Sequence, residues 1–506
     1  AEIVRSATPS AHVSVSSDVS GEYREYERTS TAVLDAYIKP LFESYVRKLD
    51  EGLSAGGFDG SFFITRSGGG ALSAANATET PVHTILSGPS GGLIGAAHVG
   101  ELTNRPKLIA VDMGGTSLDA CVIEDYSPTI EYQSTFEGMP IMIPVYDLRT
   151  IGAGGGSIAH LDGDLLKVGP RSAGADPGPI CYGQGGTRPT VTDAALVLGY
   201  LDPDAFLGGE MDLDADAAHR GIRNDFADEL GNSPVDVCTG IFEVMLANTV
   251  STIREITVER GLDPREFTMV TYGGAGPMFI PLVGREMGVD EVLVPQAPAV
   301  FSAWGMLMAD IVYDISRTEI TALEAVNLEA VEATFEDLES DARDALEGES
   351  ISLEDVRLER SVEMRYVGQE HAVEVPAEDL KEVKELHPRF EAIHERRYGH
   401  TMADQVEIVH LRIRAVGELE DPSIGRIATG ETDEEPAPEG TREAYCFAAE
   451  AMVPFEVYAR EELAPGATVS GPAIVTEPTT TIVVHGDQAA SVDEYGHVVV
   501  REVGDR

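Results

Sequence analysis

The residues best suited to chemistry form a short turn between two apolar runs, in the stretch VDMGGTSLDACVI at 111–123. Gly114 and Gly115 can take positive φ and let backbone N–H groups approach an anion with no Cβ in the way. The two hydroxyl residues that follow them add donors. Asp112 and Asp119 flank the turn, where a carboxylate could hold a hydrated divalent cation or orient a water molecule. Phosphate binding is one interpretation, and a plain hairpin with solvated acids is the other.

Three further glycine-rich stretches favour the first interpretation. SGPSGG at 87–92 and YGGAGP at 272–277 each stand between a predicted strand and a helix, where backbone donors meet the positive end of the helix dipole. IGAGGG at 151–156 makes another turn. A single glycine turn is common in α/β proteins, but four of them within one domain predict a nucleotide cleft.

The elements around these turns alternate between the strand and helix periods, which indicates an α/β core. One strand is predicted at 61–65, a second directly before the SGPSGG turn, and two more in the hairpin 108–123. Helices are predicted at 29–53 and 236–260. After about residue 315 an acidic helix at 326–347 is followed by short strands. The predicted organisation is an ATPase-like α/β domain at 1–315, an α+β region at 316–420, a linker or long loop at 421–441 and a β-rich segment at 442–506.

The charge of the chain excludes several classes of protein. Among 506 residues, 87 acidic residues against 36 basic ones give a net charge of −51, and only six of the basic residues are lysines. This polyanion should repel nucleic acid and anionic membranes, and no apolar run reaches the ~20 residues that span a bilayer. Carboxylates distributed along the whole chain favour a halophilic cytoplasm, where salt screens their repulsion. An acidic partner-binding surface is the alternative.

Six motifs carry a resemblance to a known family: LSGPSGGLIGAA, VDMGGTSLD, TIGAGGGSIA, VGPRSAGADPGPICYGQGGTRPTVTDAALVLG, YGGAGP and MRYVGQE. They resemble the hydantoinase A/5-oxoprolinase family, which includes the nucleotide-binding subunits of acetone carboxylases, over nearly the whole chain. The resemblance implies the fold class of acetate kinase, sugar kinases, Hsp70 and actin: an α/β ATPase domain, followed here by a β-rich α+β region. It also implies ATP and Mg²⁺ as cofactors.

The resemblance implies a role for each glycine turn. It makes Asp112 and Asp119 the catalytic residues, which also hold Mg²⁺ through water. The residues it implies for nucleotide binding are Gly114, Gly115, Thr116, Ser117, Gly88, Gly91, Gly154, Gly155, Gly156, Gly273, Gly274 and Gly276.

The sequence departs from the family at two positions. Family members often carry histidine where this chain has Arg149 and Phe279, and neither residue can ligate a metal. A transition-metal site there is therefore expected to be lost, with Asp147, Asp176 and Cys181 as the candidates for a residual site. Cys181 is interpreted as a packed cysteine rather than a ligand.

The resemblance further implies an ATP-dependent cyclic amidohydrolase of the hydantoinase/oxoprolinase type, assisted by a hydantoinase B-type subunit. The four cysteines lie far apart without CxxC pairing, which suits a reducing cytoplasm. Family members begin with a domain that carries its own DxGGTFTD hairpin, so a separate N-terminal ATPase half-domain is expected from elsewhere. The nucleotide subunit of a ketone carboxylase and a non-catalytic scaffold subunit are the alternatives. The β-rich C-terminal part, distant in sequence from the glycine turns, is expected to dock the partner.

Overall fold

The computed structural model describes residues 1–349, 355–378, 380–419 and 436–504. Most of the predicted linker at 421–441 lies outside these ranges. Its last residues lead into a strand that begins at Gly440.

The helices are numbered in chain order. They are α1 (Glu2–Ala7), α2 (Ser16–Val19), α3 (Glu25–Ala55), α4 (Ala74–Glu79), α5 (Ser87–Leu102), α6 (Val191–Val197), α7 (Ala215–Ile222), α8 (Asp228–Leu230), α9 (Pro234–Ile256), α10 (Gly276–Met287), α11 (Phe301–Met306), α12 (Leu328–Glu347) and α13 (Leu386–Tyr398).

The strands are numbered in the same way. They are β1 (Phe63–Thr65), β2 (Ala71–Ser73), β3 (Lys107–Met113), β4 (Leu118–Glu124), β5 (Ser127–Pro128), β6 (Ile130–Glu131), β7 (Ser134–Phe136), β8 (Met139–Ile141), β9 (Val145–Tyr146), β10 (Arg149–Ile151), β11 (Ser157–Asp162), β12 (Leu165–Ser172), β13 (Thr268–Tyr272), β14 (Glu291–Val294), β15 (Ile311–Ala322), β16 (Val356–Tyr366), β17 (Val373–Pro376), β18 (Val406–Gly417), β19 (Gly440–Cys446), β20 (Ala451–Ala459), β21 (Thr468–Ser470), β22 (Ala473–Glu477), β23 (Thr480–Val484), β24 (Gln488–Val492) and β25 (Val498–Glu502).

The chain forms two compact units, each assembled from separated segments. Unit 1 comprises Ala1–Ile94, Ile130–Asp147 and Met306–Asp421, and unit 2 comprises Gly95–Thr129, Leu148–Gly305 and Pro422–Arg506. The predicted segment 1–315 therefore contributes to both units, because strand pairing between distant segments, rather than a change of composition, decides which residues pack together.

Unit 1 is built on a mixed sheet whose long central strand is β18. The strand order is β1-β2-β15-β18-β16-β17, and β15 and β16 both pair antiparallel with β18. The acidic helix α12, predicted at 326–347, lays Phe335, Leu338 and Leu346 into the core beside this sheet. Its charged residues face away, as expected for an amphipathic helix.

Unit 2 contains the hairpin and most of the glycine turns. Its nine-stranded sheet has the order β10-β4-β3-β13-β14-β25-β24-β21, with β5 on the edge of β4. Strands β3, β13 and β14 run parallel, and β3 and β13 are almost entirely buried, as expected for central strands covered on both faces. A second sheet, β19-β20-β22-β23, is formed by the C-terminal segment.

Several predicted helices are confirmed, with clear local causes. The helix predicted at 236–260 is α9, which begins at Pro234 behind a capping box of Ser233 and Asp236. The helix predicted at 29–53 is α3, but its apolar residues do not all face the core. Leu34 and Val46 are buried, whereas Tyr37 and Leu41 are 82% and 80% exposed.

The strand predicted before the SGPSGG stretch is wrong. Residues Pro81–Thr84 form a 3₁₀ turn, in which the Val82 N–H donates to the Asp35 carboxylate at 3.1 Å. Helix α5 begins at Ser87, so the glycines predicted to form a turn before a helix belong to its first two turns. Pro81 has no N–H to donate to a neighbouring strand, and the Val82 N–H bonds to a side chain instead. The segment therefore makes a turn and not a strand.

Within the described residues, no helix combines the length and the apolar character needed to cross a membrane.

A buried ion triad fixes β15 and β18 of unit 1. Asp314 accepts hydrogen bonds from Arg66 at 3.1 Å and Arg414 at 2.9 Å, and its side chain is 1% exposed. Burial opposes ionisation of Asp314, but the two guanidinium groups outweigh it and lower the pKa of the carboxyl group. The charge of Asp314 therefore compensates two cations that are largely removed from water.

We predict that Asp314→Asn lowers the free energy of unfolding by about 3–5 kcal/mol, because it leaves buried cations uncompensated. Urea titration followed by circular dichroism measures the change. Asp337→Asn is the matched control, since the Arg317–Asp337 pair is exposed, and an exposed pair contributes only about 0–1 kcal/mol. Equal effects of the two substitutions would contradict this view of the triad.

Candidate functional site

The hairpin at 111–123 is formed by β3 and β4 in antiparallel register, with Asp112 opposite Asp119. The Gly114 N–H donates to the Ser117 carbonyl at 3.2 Å and closes the turn. Residues directly opposite on antiparallel strands project to the same face of the sheet. The two carboxylates therefore stand side by side at the end of the sheet.

The two glycines of this turn act differently from the prediction. Neither Gly114 nor Gly115 is among the residues with positive φ. A Cβ added at either position would meet no atom within 4 Å. Because these two residues have no side chain and no neighbouring atoms, a ligand can approach the backbone of the turn directly.

The GAGGG turn packs directly on the hairpin turn. Gly155 N–H donates to the Gly114 carbonyl at 3.0 Å, and Gly156 N–H donates to the Gly115 carbonyl at 2.6 Å. A Cβ on Gly154 would lie 2.7 Å from the Gly114 carbonyl oxygen and from the Thr116 nitrogen. Only glycine permits this approach, because Cβ atoms do not come within 3.0 Å of backbone atoms.

The GGAGP turn reaches the hairpin from the neighbouring strand. Strands β3 and β13 are parallel, with Tyr272 beside Asp112, so their carboxyl ends meet at one edge of the sheet. Gly273 has φ +80°, and a Cβ there would lie 2.5 Å from the Asp112 Oδ1 atom. Gly276 begins α10. In α/β sheets, ligands bind at this carboxyl edge of the strands.

Both carboxylates of the hairpin are held by hydroxyl groups. The Ser302 hydroxyl donates to Asp112 Oδ2 at 3.1 Å, and the Thr150 hydroxyl donates to Asp119 Oδ1 at 2.5 Å. Burial raises the pKa of Asp112 to about 6; the bond from Ser302 opposes the shift and the charge of Asp119 adds to it. Burial likewise raises the pKa of Asp119. A cation bound between these two carboxylates would stabilise their ionised forms, which burial disfavours.

These turns open into a cavity of about 1050 Å³ within unit 2. Gly114, Gly115, Gly155 and Gly274 line one wall. The C-terminal segment also lines the cavity, at Pro478–Thr481, and lies beside Gly274. The volume suits a nucleotide-sized ligand.

The C-terminal part, although distant in sequence, therefore lies beside the glycine turns, and its role in docking a partner stays a prediction. The Thr480 hydroxyl donates to the Gly274 carbonyl at 2.9 Å, and β25 pairs with β14 inside the nine-stranded sheet. This approach is possible because β-strands pair over any separation along the chain. Turn-rich β sequence carried no signal for which sheet it would join.

Sequence reasoning also missed the residues that support the site. Ser302 and Thr150 hold the carboxylates, and Tyr182 packs against Phe206, with ring centroids 5.7 Å apart, on an apolar part of the cavity wall. The hydroxyl of Thr192 donates to the Gly155 carbonyl at 2.8 Å and anchors the GAGGG turn. The one available signal was position: Thr150 directly precedes the stretch IGAGGG, and Thr192 lies inside the long family motif.

The predicted nucleotide glycines do not all lie in this unit. Gly88 and Gly91 are in the part of α5 that belongs to unit 1. A role for them in nucleotide binding stays a prediction. Gly154, Gly155, Gly156, Gly273, Gly274 and Gly276 are assembled with the hairpin, as described above.

The three candidates for a residual metal site lie in different surroundings. Asp176 is exposed, whereas Cys181 is fully buried and Asp147 belongs to the other unit. Burial, and then the nearby charge of Asp193, raise the pKa of the Cys181 thiol, which keeps it protonated and unfit as a ligand. Phe279 is a core residue packed edge-on against Phe242.

Comparison with known proteins gives consistent similarities over the whole chain. The family model Hydantoinase/oxoprolinase matches residues 28–315, and the Hydantoinase/oxoprolinase C-terminal domain matches 320–503. Caprolactamase subunit alpha of Pseudomonas jessenii is 34% identical over 500 residues, which cover 97% of this chain and 72% of that protein.

Two solved structures align with nearly the whole chain. The crystal structure of the ATP-dependent caprolactamase from Pseudomonas jessenii aligns with a TM-score of 0.90 at 33% identity, covering 99% of this chain and 74% of that one. The nucleotide-free structure of acetone carboxylase aligns with a TM-score of 0.79 at 28% identity, covering 99% and 73%.

The fold is thus the predicted one, an actin-like α/β ATPase fold with a β-rich C-terminal region. The chain belongs to the hydantoinase/oxoprolinase family, as its motifs indicated.

The packing of the two turns makes a prediction about substitutions by alanine. Gly154→Ala should lower the free energy of unfolding by about 1–3 kcal/mol, because the added methyl group overlaps fixed backbone atoms. Gly115→Ala, whose methyl group would meet open space, should leave stability unchanged or raise it by up to about 1 kcal/mol. Urea denaturation of both variants tests this, and a destabilised Gly115→Ala would contradict the open turn.

The raised pKa of Asp112 predicts how stability depends on pH. Between about pH 4 and pH 6 the folded state binds more protons at Asp112 than the unfolded state, so stability falls as the pH rises through this window. Asp112→Asn removes this penalty and should raise the free energy of unfolding at pH 7 by about 1–3 kcal/mol.

The gain should disappear below about pH 4, where Asp112 is protonated in both states. Urea titrations of both proteins at pH 4 and pH 7 give the comparison. If the variant is equally or less stable at pH 7, ionised Asp112 does not lower the free energy of unfolding.

Proposed function

We propose that the chain is the ATP-binding subunit of a hydantoinase/5-oxoprolinase-type enzyme, which activates the carbonyl oxygen of a small cyclic amide by ATP-dependent phosphoryl transfer. The observation that carries the proposal is the bare hairpin turn at Gly114 and Gly115, flanked by paired carboxylates and open to a cavity of about 1050 Å³. The caprolactamase and the acetone carboxylase that share the fold are described as ATP-dependent.

The phosphate groups would be held by the hairpin turn. Its backbone has no Cβ at two successive positions, so N–H groups can approach phosphate oxygens closely. The hydroxyl groups of Thr116 and Ser117 stand beside this backbone and add donors. Gly273, Gly274 and Gly276, at the start of α10, would lie against the rest of the nucleotide.

Asp112 and Asp119 fit a magnesium ion. They stand opposite each other on the hairpin, and burial disfavours their ionised forms, so a nearby divalent cation would stabilise both charges. When bound, Mg²⁺ supplies the charge that neutralises phosphate oxygens during transfer. The two carboxylates would hold the ion through its water ligands, and Ser302 and Thr150 fix the carboxylates.

The proposal includes partners. One relative is named as a subunit, the caprolactamase subunit alpha, and phosphoryl transfer depends on positioning groups from more than one wall of a site. We infer a hydantoinase B-type subunit and an N-terminal ATPase half-domain as partners in a cytoplasmic complex. The half-domain would close on the phosphates from the side opposite the hairpin.

A ketone carboxylase subunit is the second candidate. The similarity to acetone carboxylase, with a TM-score of 0.79, favours it. Both reactions activate a carbonyl oxygen, so the same hairpin and the same nucleotide serve either substrate. The loops that contact the substrate decide between a cyclic amide and a ketone.

The test is ATP hydrolysis by the chain assembled with both partners, in molar KCl, with hydantoin, 5-oxoproline or acetone. We expect a cyclic amide to stimulate hydrolysis and Asp112→Asn to lower the stimulated rate at least about 100-fold, because charge stabilisation by the metal contributes several kcal/mol. Stimulation by acetone with bicarbonate, and not by the amides, would assign the carboxylase reaction instead.

Asp337→Asn, an equivalent change on an exposed helix of unit 1, is the control and should keep the full rate. Failure of every substrate to stimulate the complete complex would refute the enzymatic proposal and favour a scaffold subunit.

A further inference from the structure

A second cluster of ionisable side chains lies in unit 1, apart from the hairpin and its glycine turns. Glu363 on β16 stands directly opposite His410 on β18, and Thr318 on β15 flanks His410 on the other side. Glu22, from the segment between α2 and α3, completes the group. One ligand atom from each of Glu22, Glu363 and His410 lies within 4.8 Å of the others.

All three side chains are removed from water. Glu22, Glu363 and His410 have side-chain exposures of 5%, 10% and 2%. Two carboxylates at this depth need compensation, because an unpaired buried charge costs several kcal/mol. Arg412 supplies one positive charge, donating to Glu22 Oε1 at 2.7 Å and to Glu363 Oε1 at 2.5 Å.

The second oxygen of each carboxylate is not compensated in the same way. Glu22 Oε2 is buried without a hydrogen-bond partner. It lies 3.9 Å from His410 Nε2, and Glu363 Oε2 lies 4.0 Å from the same nitrogen. These distances exceed a hydrogen bond. Two carboxylate oxygens and one imidazole nitrogen therefore converge on one point, where a single guanidinium group is bonded to both acids.

The imidazole ring is already oriented as a ligand. His410 Nδ1 lies 3.1 Å from the Thr318 hydroxyl, which also accepts from the Tyr23 N–H at 3.0 Å. A hydrogen bond on Nδ1 directs Nε2 toward the carboxylates, and metal-ligating histidines are held in this way. The Tyr23 ring stacks on the imidazole, with centroids 5.7 Å apart, and restrains it further.

A cavity of about 340 Å³ reaches this point. Glu363 and His410 line it, together with Tyr23, Arg24 and Tyr132. The cavity provides an entry path for an ion and space for water molecules to fill its remaining coordination positions. Tyr132 covers the Arg412 guanidinium at 3.4 Å from the ring centroid, so that cation is fixed in place and cannot swing into the gap.

We propose that Glu22, Glu363 and His410 bind one divalent transition-metal ion, of the zinc or manganese type. One imidazole nitrogen and two carboxylate oxygens are a donor set that such ions accept, whereas Mg²⁺ and Ca²⁺ prefer oxygen alone. The separations of 3.9 and 4.0 Å are wider than the roughly 3.4 Å between tetrahedral zinc ligands. Loading would draw the side chains together by less than an ångström each.

The ion would tie the segment before α3 to the sheet of unit 1, since Glu22 is the ligand that comes from outside the sheet. The site shares no residue with the proposed nucleotide site. It therefore stands or falls independently of the proposed function.

The test uses the full chain, stripped with a chelator and titrated with Zn²⁺ and Mn²⁺ by calorimetry. Millimolar Ca²⁺ is present throughout, so that the many surface carboxylates are saturated. We expect one transition-metal ion per chain, confirmed by elemental analysis, and a higher melting temperature on loading. Glu22→Gln should weaken binding at least about 10-fold, because it removes a ligand charge but retains the shape and the contact with Arg412.

Glu374→Gln is the matched control, because Glu374 lines the same cavity but accepts its hydrogen bonds from Ser361 and Tyr132. It should bind the ion as the parent does. His410→Gln is the second variant, to be used if Glu22→Gln does not fold. The new side chain can still contact Thr318, and the variant should also lose the ion. No ion above the Ca²⁺-competed background, or equal loss in Glu374→Gln, would overturn the proposal and leave a closed ion-pair network.

Discussion

The approach of three glycine turns to one another at the carboxyl edge of a sheet is the constraint on which the site in unit 2 depends. Gly154 and Gly156 lie on the backbone of the hairpin turn, and Gly273 lies against Asp112 at distances that no side chain could tolerate. These contacts fix the height of the hairpin above the neighbouring strand. The outer face of the hairpin turn stays open, because a Cβ on Gly114 or Gly115 would meet no atom within 4 Å.

The electrostatics of the hairpin follow from this packing. Because the turns close over the edge of the sheet, Asp112 is largely buried and its pKa rises to about 6. The chain keeps two neighbouring carboxylates where their charge is costly to the fold. Such a cost is typical of functional sites, where stability is given up for a poised charge. Unit 1 shows the same pattern at Glu22 and Glu363, where one arginine compensates two acids.

Much of the fold could be predicted from the sequence, because local rules agree with the final structure. The hairpin, the long helices α3 and α9, and the strand–turn–helix passage at β13 and α10 were all indicated by apolar period and glycine position. The prediction failed where tertiary contacts overrode that pattern. Residues Pro81–Thr84 form a turn whose backbone bonds to Asp35, where a strand was predicted. In α3, Tyr37 and Leu41 are exposed although the apolar period predicted them to be buried.

The sequence by itself determined the family, the fold class and the residues of the hairpin, since glycine spacing and ordered motifs are local properties. Only the tertiary structure decided that the C-terminal segment lines the cavity, because Thr480 reaches Gly274 across about 200 residues of chain through strand pairing. It likewise brought Glu22, Glu363 and His410 to one point. No spacing in the sequence marks that cluster, since its members come from a loop and two strands whose register alone makes them neighbours.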